Sequence, residues 1–203
     1  MAHDPNASAA RPTAEEERRA HHVCPWWVGY LIASPLRRMA EDPDAILAPL
    51  AQPGMTVVDA GAAMGFFSLP LARMVGDTGR VVCVDVQPRM LSTLNKRAKR
   101  KGLEQVIECR PCTQEDLGLG DLQGQVDLAV AVHVVHETAY PRRFLSQICE
   151  VLRPGGKFLL IEPRGHVSDS DFEATRGLCR EVGLRELEPM QLRRSRVLLL
   201  ERT

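Results

Sequence analysis

An acidic residue and two glycines near position 60 have the types and spacing of a turn that holds a small ligand. Asp59 follows a β-branched apolar pair at 57–58, and Gly61 and Gly65 come shortly after it. Glycine permits backbone angles and close approaches that a side chain would block. The apolar pair predicts a buried strand, and the apolar spacing after Gly65 predicts a helix. We therefore expect a ligand crevice here, at the carboxyl edge of an open parallel sheet.

A second acid is expected at the same edge. The strand predicted over 80–84 ends in Asp85, and a turn composition at 76–79 precedes it. An acid at the end of this strand accepts hydrogen bonds from ribose hydroxyls in nucleotide-binding α/β folds. Asp85 is therefore predicted to bind the ribose of a nucleotide-like ligand.

Three side chains that can move protons follow the fourth predicted strand. The run 126–132 is apolar almost throughout, as a central parallel strand requires, and it leads into His133, His136 and Glu137. Histidine and glutamate can both act as general bases. A structural role is the alternative: His133 would be a satisfied hydrogen-bonding residue beneath a ligand, and His136 would begin a helix.

The spacing of the glycine turn distinguishes between two classes of cofactor. The dinucleotide fingerprint requires G-x-G-x-x-G, whereas this turn reads Gly61-x-Ala63-x-Gly65 and has an acid two residues before it. The stretch resembles the first motif of class I S-adenosylmethionine-dependent methyltransferases, [DE]-x-G-x-G-x-G, with Ala63 in place of a glycine. The resemblance implies that S-adenosylmethionine is bound by Asp59, Gly61, Ala63, Gly65 and Phe66. A glycine turn that serves only strand-helix packing is the alternative.

A later segment carries the most specific part of the resemblance. Residues 152–158 read L-R-P-G-G-K-F, which is similar to the L-[KR]-P-G-G-x-hydrophobic segment of the family. The resemblance runs in order from about residue 45 to the end of the chain. It implies an α/β fold, a Rossmann-like three-layer sandwich around a mostly parallel seven-stranded sheet, with strand order 3-2-1-4-5-7-6 and an antiparallel last strand. The alternation of predicted strands and helices also indicates an α/β sheet.

Further cofactor contacts are implied by the resemblance. The family commonly places an acidic or small polar residue against the adenine after the third strand, which is predicted here over 106–110. That position falls on Cys112 or Thr113. Val86, which follows Asp85, and His133, which would lie under the cofactor, complete the predicted binding set.

The cysteines raise the alternative of a zinc site. Cys109 and Cys112 form a single C-x-x-C, which Cys24 or His22 would have to complete as a zinc site. A second C-x-x-C is lacking and a strand alternates its faces, so buried thiols are favoured and no metal is expected. The six cysteines show no disulfide-framework spacing, which is typical of reduced thiols.

Three regions are predicted along the 203 residues, a length that suits one domain. Residues 1–20 are expected to form a flexible tail, residues 21–54 a helical arm, and residues 55–203 the cofactor-binding domain. The arm contains Trp26 and Trp27, which either pack it onto the domain or form a lid over the reacting centre. Because no long insertion follows the fifth strand, we expect the arm to shape the acceptor entrance.

Charge and hydropathy argue against several classes of partner. The 26 basic and 26 acidic residues give a formal net charge of zero, so no broad attraction to nucleic acid or to an anionic membrane is expected. The basic run at 96–101 is interpreted as a solvated face that complements a helix dipole. No apolar run reaches the roughly 18 residues of a membrane span. No apolar signal core opens the chain, and a cytoplasmic location is expected.

The sequence therefore predicts a methyltransferase that passes the methyl group of S-adenosylmethionine to a small-molecule acceptor. His136 or Glu137 would be the base where the acceptor must lose a proton. A protein that only senses S-adenosylmethionine or its product is the alternative. An NAD-dependent oxidoreductase is disfavoured by the short glycine spacing.

Overall fold

The structure is a computed structural model that describes residues 41–188 and 190–203. The predicted tail, both tryptophans and most of the predicted arm lie outside these residues. The domain boundaries proposed at 20 and 54 therefore stay predictions.

Seven strands form one sheet in the order β3-β2-β1-β4-β5-β7-β6. β1 to β5 are parallel, and β7 runs antiparallel to both β5 and β6. This confirms the predicted strand order and the antiparallel last strand. The strands are β1 (Thr56–Ala60), β2 (Arg80–Asp85), β3 (Ile107–Pro111), β4 (Val126–Val132), β5 (Leu152–Pro163), β6 (Leu184–Glu186) and β7 (Ser195–Arg202).

Five α-helices and two short 3-10 turns connect the strands within the described residues. The 3-10 turns span Gly120–Leu122 and Val135–Glu137. None of these helices has both the length and the apolar character that crossing a membrane would require. The α-helices are α1 (Pro43–Leu47), α2 (Ser68–Val75), α3 (Pro88–Lys99), α4 (Pro141–Val151) and α5 (Asp169–Glu181).

Both faces of the central strands are buried, each under its own layer of helices. Val57 and Val81 pack with α1, α2 and α3 on one face. Val58 and Val82 pack with α4 and α5 on the other. Successive strand residues point to opposite faces, so a strand covered on both sides must be apolar at every position. The result is the three-layer sandwich that the resemblance implied.

Several element boundaries differ from the sequence predictions. The sequence predicts the fifth strand over 158–161, but this strand begins at Leu152, which pairs with Val126 before the register shifts. The last helix is predicted from residue 171 but begins at Asp169, because the Ser168 hydroxyl accepts a hydrogen bond from the Asp171 N–H at 3.1 Å and caps it. The helical piece predicted over 45–51 begins earlier and ends earlier, at Pro43–Leu47.

Candidate active site

The turn after β1 is held against the end of β2 by backbone hydrogen bonds. Gly61 has a φ of +79°, a conformation that glycine adopts at no steric cost. The N–H groups of Gly61 and Ala62 both donate to the Val84 carbonyl, at 2.9 and 3.1 Å. Ala63 also lies in the left-handed region, at a φ of +46°. The turn therefore has a defined shape at the carboxyl edge of the sheet.

Asp85 links this turn to the start of α3. One carboxylate oxygen accepts the Ala63 N–H at 2.9 Å, and the other accepts the Gln87 N–H at 2.8 Å. Burial raises the pKa of Asp85, and these two backbone hydrogen bonds oppose that shift. A carboxylate has about four acceptor positions, so two remain for a ligand.

Two neighbouring cavities meet at Asp85. Their volumes are about 90 and 100 Å³, and we call them together the cofactor cradle. Five residues line both cavities: Gly61, Asp85, Gln87, Val134 and Glu137. Two of these five residues, Asp85 and Glu137, have acidic side chains.

Nine of the ten predicted cofactor residues line this cradle. Asp85 and Gly61 line both cavities, and the others divide between them. Val86, Cys112 and Thr113 line the first cavity, and Asp59, Ala63, Phe66 and His133 line the second.

Gly65 is the predicted cofactor residue that lines neither cavity. A Cβ built on Gly65 would lie 2.2 Å from Leu94 Cδ1. In this structure Gly65 therefore allows α3 to pack closely against the turn.

Asp59 is a buried acid beneath the second cavity. Its carboxylate accepts a hydrogen bond from the Ser68 hydroxyl at 2.5 Å. Burial raises the pKa of Asp59 to about 7; the Ser68 hydrogen bond opposes the shift and the charge of Asp85 adds to it. Asp59 therefore changes its charge near neutral pH.

The three residues that the sequence predicts to be catalytic lie at two different cavities. His133 lines the second cavity, with Nε2 3.5 Å from Glu41 Oε1, and Glu137 lines both cavities. His136 instead lines a third cavity of about 230 Å³ between the ends of β4 and β5 and helix α5. The His136 Nδ1 lies 2.5 Å from Glu162 Oε2, and its Nε2 lies 3.9 Å from Glu137 Oε1.

Sequence reasoning missed two residues that shape the site. Val134 covers the β1 turn so closely that a Cβ on Gly61 would lie 2.0 Å from Val134 Cγ2. Glu162 is 2% exposed and contacts His136. Glu162 follows an apolar strand just as Asp59 and Asp85 do, and this pattern was a signal for it. Val134 carries no such signal, because a valine among valines indicates only a core position.

Residues 58–160, about half of the chain, match a family model described as a methyltransferase domain. The chain belongs to this family. It is a class I S-adenosylmethionine-dependent methyltransferase domain, and S-adenosylmethionine is its cofactor. This confirms the resemblance that rested on the turn at 59–65 and the segment at 152–158.

Three proteins are similar to this chain in sequence or in fold. The methyltransferase is 29% identical over 164 residues to the ubiquinone biosynthesis O-methyltransferase of Cereibacter sphaeroides, covering 74% of this chain and 64% of that relative. It is 28% identical over 181 residues to the ribosomal RNA large subunit methyltransferase E of Chromohalobacter salexigens, covering 86% and 84%. A SAM-dependent methyltransferase of Aquifex aeolicus shares the fold, with a TM-score of 0.79 and 21% identity over 89% of this chain and 100% of that one. The chain thus spans less than two thirds of the length of the ubiquinone relative.

The residues of the cradle fit this cofactor. Asp85 keeps acceptor positions for ribose hydroxyls. Leu117 and Phe144 give the first cavity an apolar wall suited to an adenine ring. The second cavity has Asp59, whose carboxylate favours a positive charge nearby.

Proposed function

We propose that this methyltransferase transfers a methyl group to a hydroxyl oxygen of a small molecule. The observation that carries the proposal is the position of Glu137, which lines both halves of the cofactor cradle. A carboxylate at the cradle can accept the proton that a hydroxyl loses on methylation. The likeness to an enzyme named as an O-methyltransferase supports an oxygen acceptor.

The cofactor is proposed to lie across both cavities. Asp85 would hold the ribose, Cys112 and Thr113 would flank the adenine, and Asp59 would face the charged end. When bound, S-adenosylmethionine supplies an electrophilic methyl group. The chain itself supplies alignment and shelter from water, which account for much of the rate in such a displacement.

Glu137 is proposed to be the first proton acceptor, and His133 is proposed to position the acceptor at the second cavity. His133 has a φ of +59° and donates its N–H to the Ile161 carbonyl at 2.7 Å. The backbone of β5 therefore holds this residue at the rim of the cradle. A group fixed in this way can orient a reactant without further ordering.

Calorimetry and mass spectrometry of the purified protein test this function. We expect binding of S-adenosylmethionine but not of NAD, and methylation of one or more phenols in a panel of hydroxyl, thiol and amine compounds. Glu137→Gln should bind the cofactor normally and lose most turnover. Cofactor binding without turnover on any acceptor would favour the sensor alternative, and tight binding of NAD alone would contradict both.

RNA is a second candidate acceptor, favoured by one surface feature. The end of α3 exposes Lys96, Lys99, Arg100 and Lys101, and Arg97 donates to the Met64 carbonyl in the turn. The likeness to a ribosomal RNA methyltransferase agrees with a basic surface joined to the cradle. Transfer of labelled methyl to ribosomal RNA, lost in the triple variant Lys96→Ala/Lys99→Ala/Lys101→Ala, would select this acceptor over a small molecule.

A further inference from the structure

The third cavity holds an imidazole–carboxylate pair that the cofactor cradle does not contain. Its lining comes from the 3-10 turn at 135–137, the start of α4, the end of β5, the loop after β5 and α5, and it is part apolar and part polar. Four titratable side chains line it: His136, Glu162, His166 and Asp171. Such a grouping indicates a chemical role.

Glu162 directs both of its oxygens to one residue. Oε2 lies 2.5 Å from the His136 Nδ1, and Oε1 accepts the His136 backbone N–H at 3.2 Å. Glu162 ends β5 in the core and is 2% exposed. Because a carboxylate only accepts hydrogen bonds, Nδ1 must carry the hydrogen, and the lone pair of the neutral ring is then on Nε2.

The Nε2 side of the ring faces the cradle. Glu137 Oε1 lies 3.9 Å from it, and Glu137 lines both halves of the cradle. Of two consecutive residues of one 3-10 turn, Glu137 therefore lines the cradle and His136 lines the third cavity. Glu162, His136 and Glu137 form a row from the core to the cofactor site.

The charges around His136 favour its protonated form. Burial acts to lower the pKa of His136, but the hydrogen bond and charge of Glu162, together with the charge of Glu137, raise it above the ordinary value. The His166 ring lies edge-on to it with ring centres 6.5 Å apart, and Asp171 lines the same cavity from α5. His136 therefore holds its second proton up to a higher pH than an ordinary histidine does.

We propose that Glu162 is a positioning residue that fixes His136 with Nδ1–H toward its own carboxylate, so that Nε2 receives the acceptor's proton from Glu137. This rests on the proposed methylation of a hydroxyl. The O–H bond of the acceptor breaks, its electron pair stays on the oxygen, and the proton passes to the Glu137 carboxylate. The proton then moves to Nε2 while the Nδ1 proton stays on the ring and remains hydrogen-bonded to Glu162, and solvent water takes the proton from Nε2 after the product leaves. Each carboxylate and the ring end in the state in which they began.

Nitrogen NMR of the histidine rings in the whole protein tests the positioning directly. In the protein without acceptor, we expect His136 to show the Nδ1–H tautomer and a pKa above that of an ordinary histidine. Glu162→Gln should lower this pKa by about 1 unit or more, the scale of losing an adjacent opposite charge. Asp171→Asn removes a carboxyl from the same cavity and is the matched control, which should leave the tautomer unchanged. A wild-type Nε2–H tautomer, or an unchanged pKa in Glu162→Gln, would overturn the proposal.

The pH dependence of turnover then tests whether the pair takes part in the reaction. On any hydroxyl acceptor that the enzyme methylates, Glu162→Gln should move the acidic limb of kcat to lower pH and reduce its plateau, with little change in KM. An acidic limb that stays in place would exclude the relay even where methylation itself is confirmed. The NMR result needs no acceptor, so failure to find a substrate affects only the proposed function. If Glu162→Gln does not fold, the tautomer of His136 in the wild-type protein still supports or overturns the proposal.

Discussion

The cofactor cradle and the third cavity are built in different ways from the same sheet edge. In the cradle, Asp85 accepts the backbone N–H groups of Ala63 and Gln87, and Asp59 accepts the Ser68 hydroxyl. In the third cavity, Glu162 binds the ring and the backbone N–H of His136. The cradle therefore depends on the pairing of β1 with β2 and on the turns that follow these strands, and the third cavity depends on the pairing of β4 with β5. Different substitutions should therefore disrupt the cofactor cradle and the third cavity.

The largest effect is expected from filling the turn at Gly61. Gly61→Val puts a branched side chain at a φ of +79°, where a Cβ already lies 2.0 Å from Val134 Cγ2. Cofactor affinity should fall at least about 100-fold, or about 2.7 kcal/mol. Calorimetry measures the affinity, and circular dichroism checks that the sheet remains folded.

A matched pair of variants separates the two reasons for a glycine at this position. Gly61→Ala alone collides with Val134, whereas Gly61→Ala/Val134→Gly removes the collision. If the double variant regains wild-type affinity, Val134 accounts for the glycine. If it stays weak, the positive φ of position 61 or the close approach of the cofactor to its backbone accounts for the glycine.

The next largest effect concerns the acid shared by both cavities. Asp85→Ala should cost about 1.5–3 kcal/mol of cofactor affinity, the scale of hydrogen bonds to a charged group. It should also lower the melting temperature, because the Ala63 and Gln87 N–H groups lose their acceptor. Asp121→Asn changes an exposed carboxylate paired with Arg110 and should leave affinity unchanged. Unchanged affinity in a folded Asp85→Ala protein would remove Asp85 from the site.

A smaller effect is expected from pH, through Asp59. A positively charged sulfonium nearby favours the carboxylate, so cofactor binding should release a proton and tighten as pH rises through about 7. Calorimetry in two buffers of different ionisation enthalpy measures that proton. Asp59→Asn should reduce the release and flatten the pH dependence. Uptake of a proton on binding would contradict the assignment.

The same group makes the stability of the free protein depend on pH in the opposite sense. The pKa of Asp59 rises from 3.8 to about 7 on folding, so the folded state binds the proton more tightly. Stability is therefore highest below the unfolded value and falls as pH rises to about 7. Denaturation of wild type and Asp59→Asn across this range measures the difference.

The smallest effect is expected at Ala63. Ala63→Gly removes a methyl group from a residue at a φ of +46°, where an L side chain costs about 1–2 kcal/mol. The flexibility of glycine in the unfolded chain offsets about 0.4–1 kcal/mol of that gain. Stability should rise by between about 0 and 1.6 kcal/mol in thermal unfolding, and cofactor affinity should be kept or increased. Loss of binding would show that the shape of the turn depends on the alanine.

Much of the fold and of the cradle could be predicted from the sequence, because their signals are local. The apolar runs before Asp59 and Asp85 mark strands, and the glycine spacing marks the turn between strand and helix. The observed helix boundaries differ from the predicted ones by a few residues where a side chain caps the helix, as Ser168 does at the start of α5. The extension of β5 back to Leu152 depends on a pairing partner in β4, and a single segment does not contain that information.

The sequence alone indicated the family and the cofactor class, because both rest on residue types at short spacing within continuous segments, and the strand order was implied by the resemblance to that family. It also named His133, His136 and Glu137 as a group. Only the tertiary structure decided that His136 lies in a separate cavity from the other two and that Glu162 is its partner. It likewise showed that Val134 packs over Gly61, and that the lack of a side chain at Gly65 leaves room for Leu94. The physical reason is that side-chain direction at a strand end depends on the turn that follows and on the neighbouring strand, and residues distant in the chain set both.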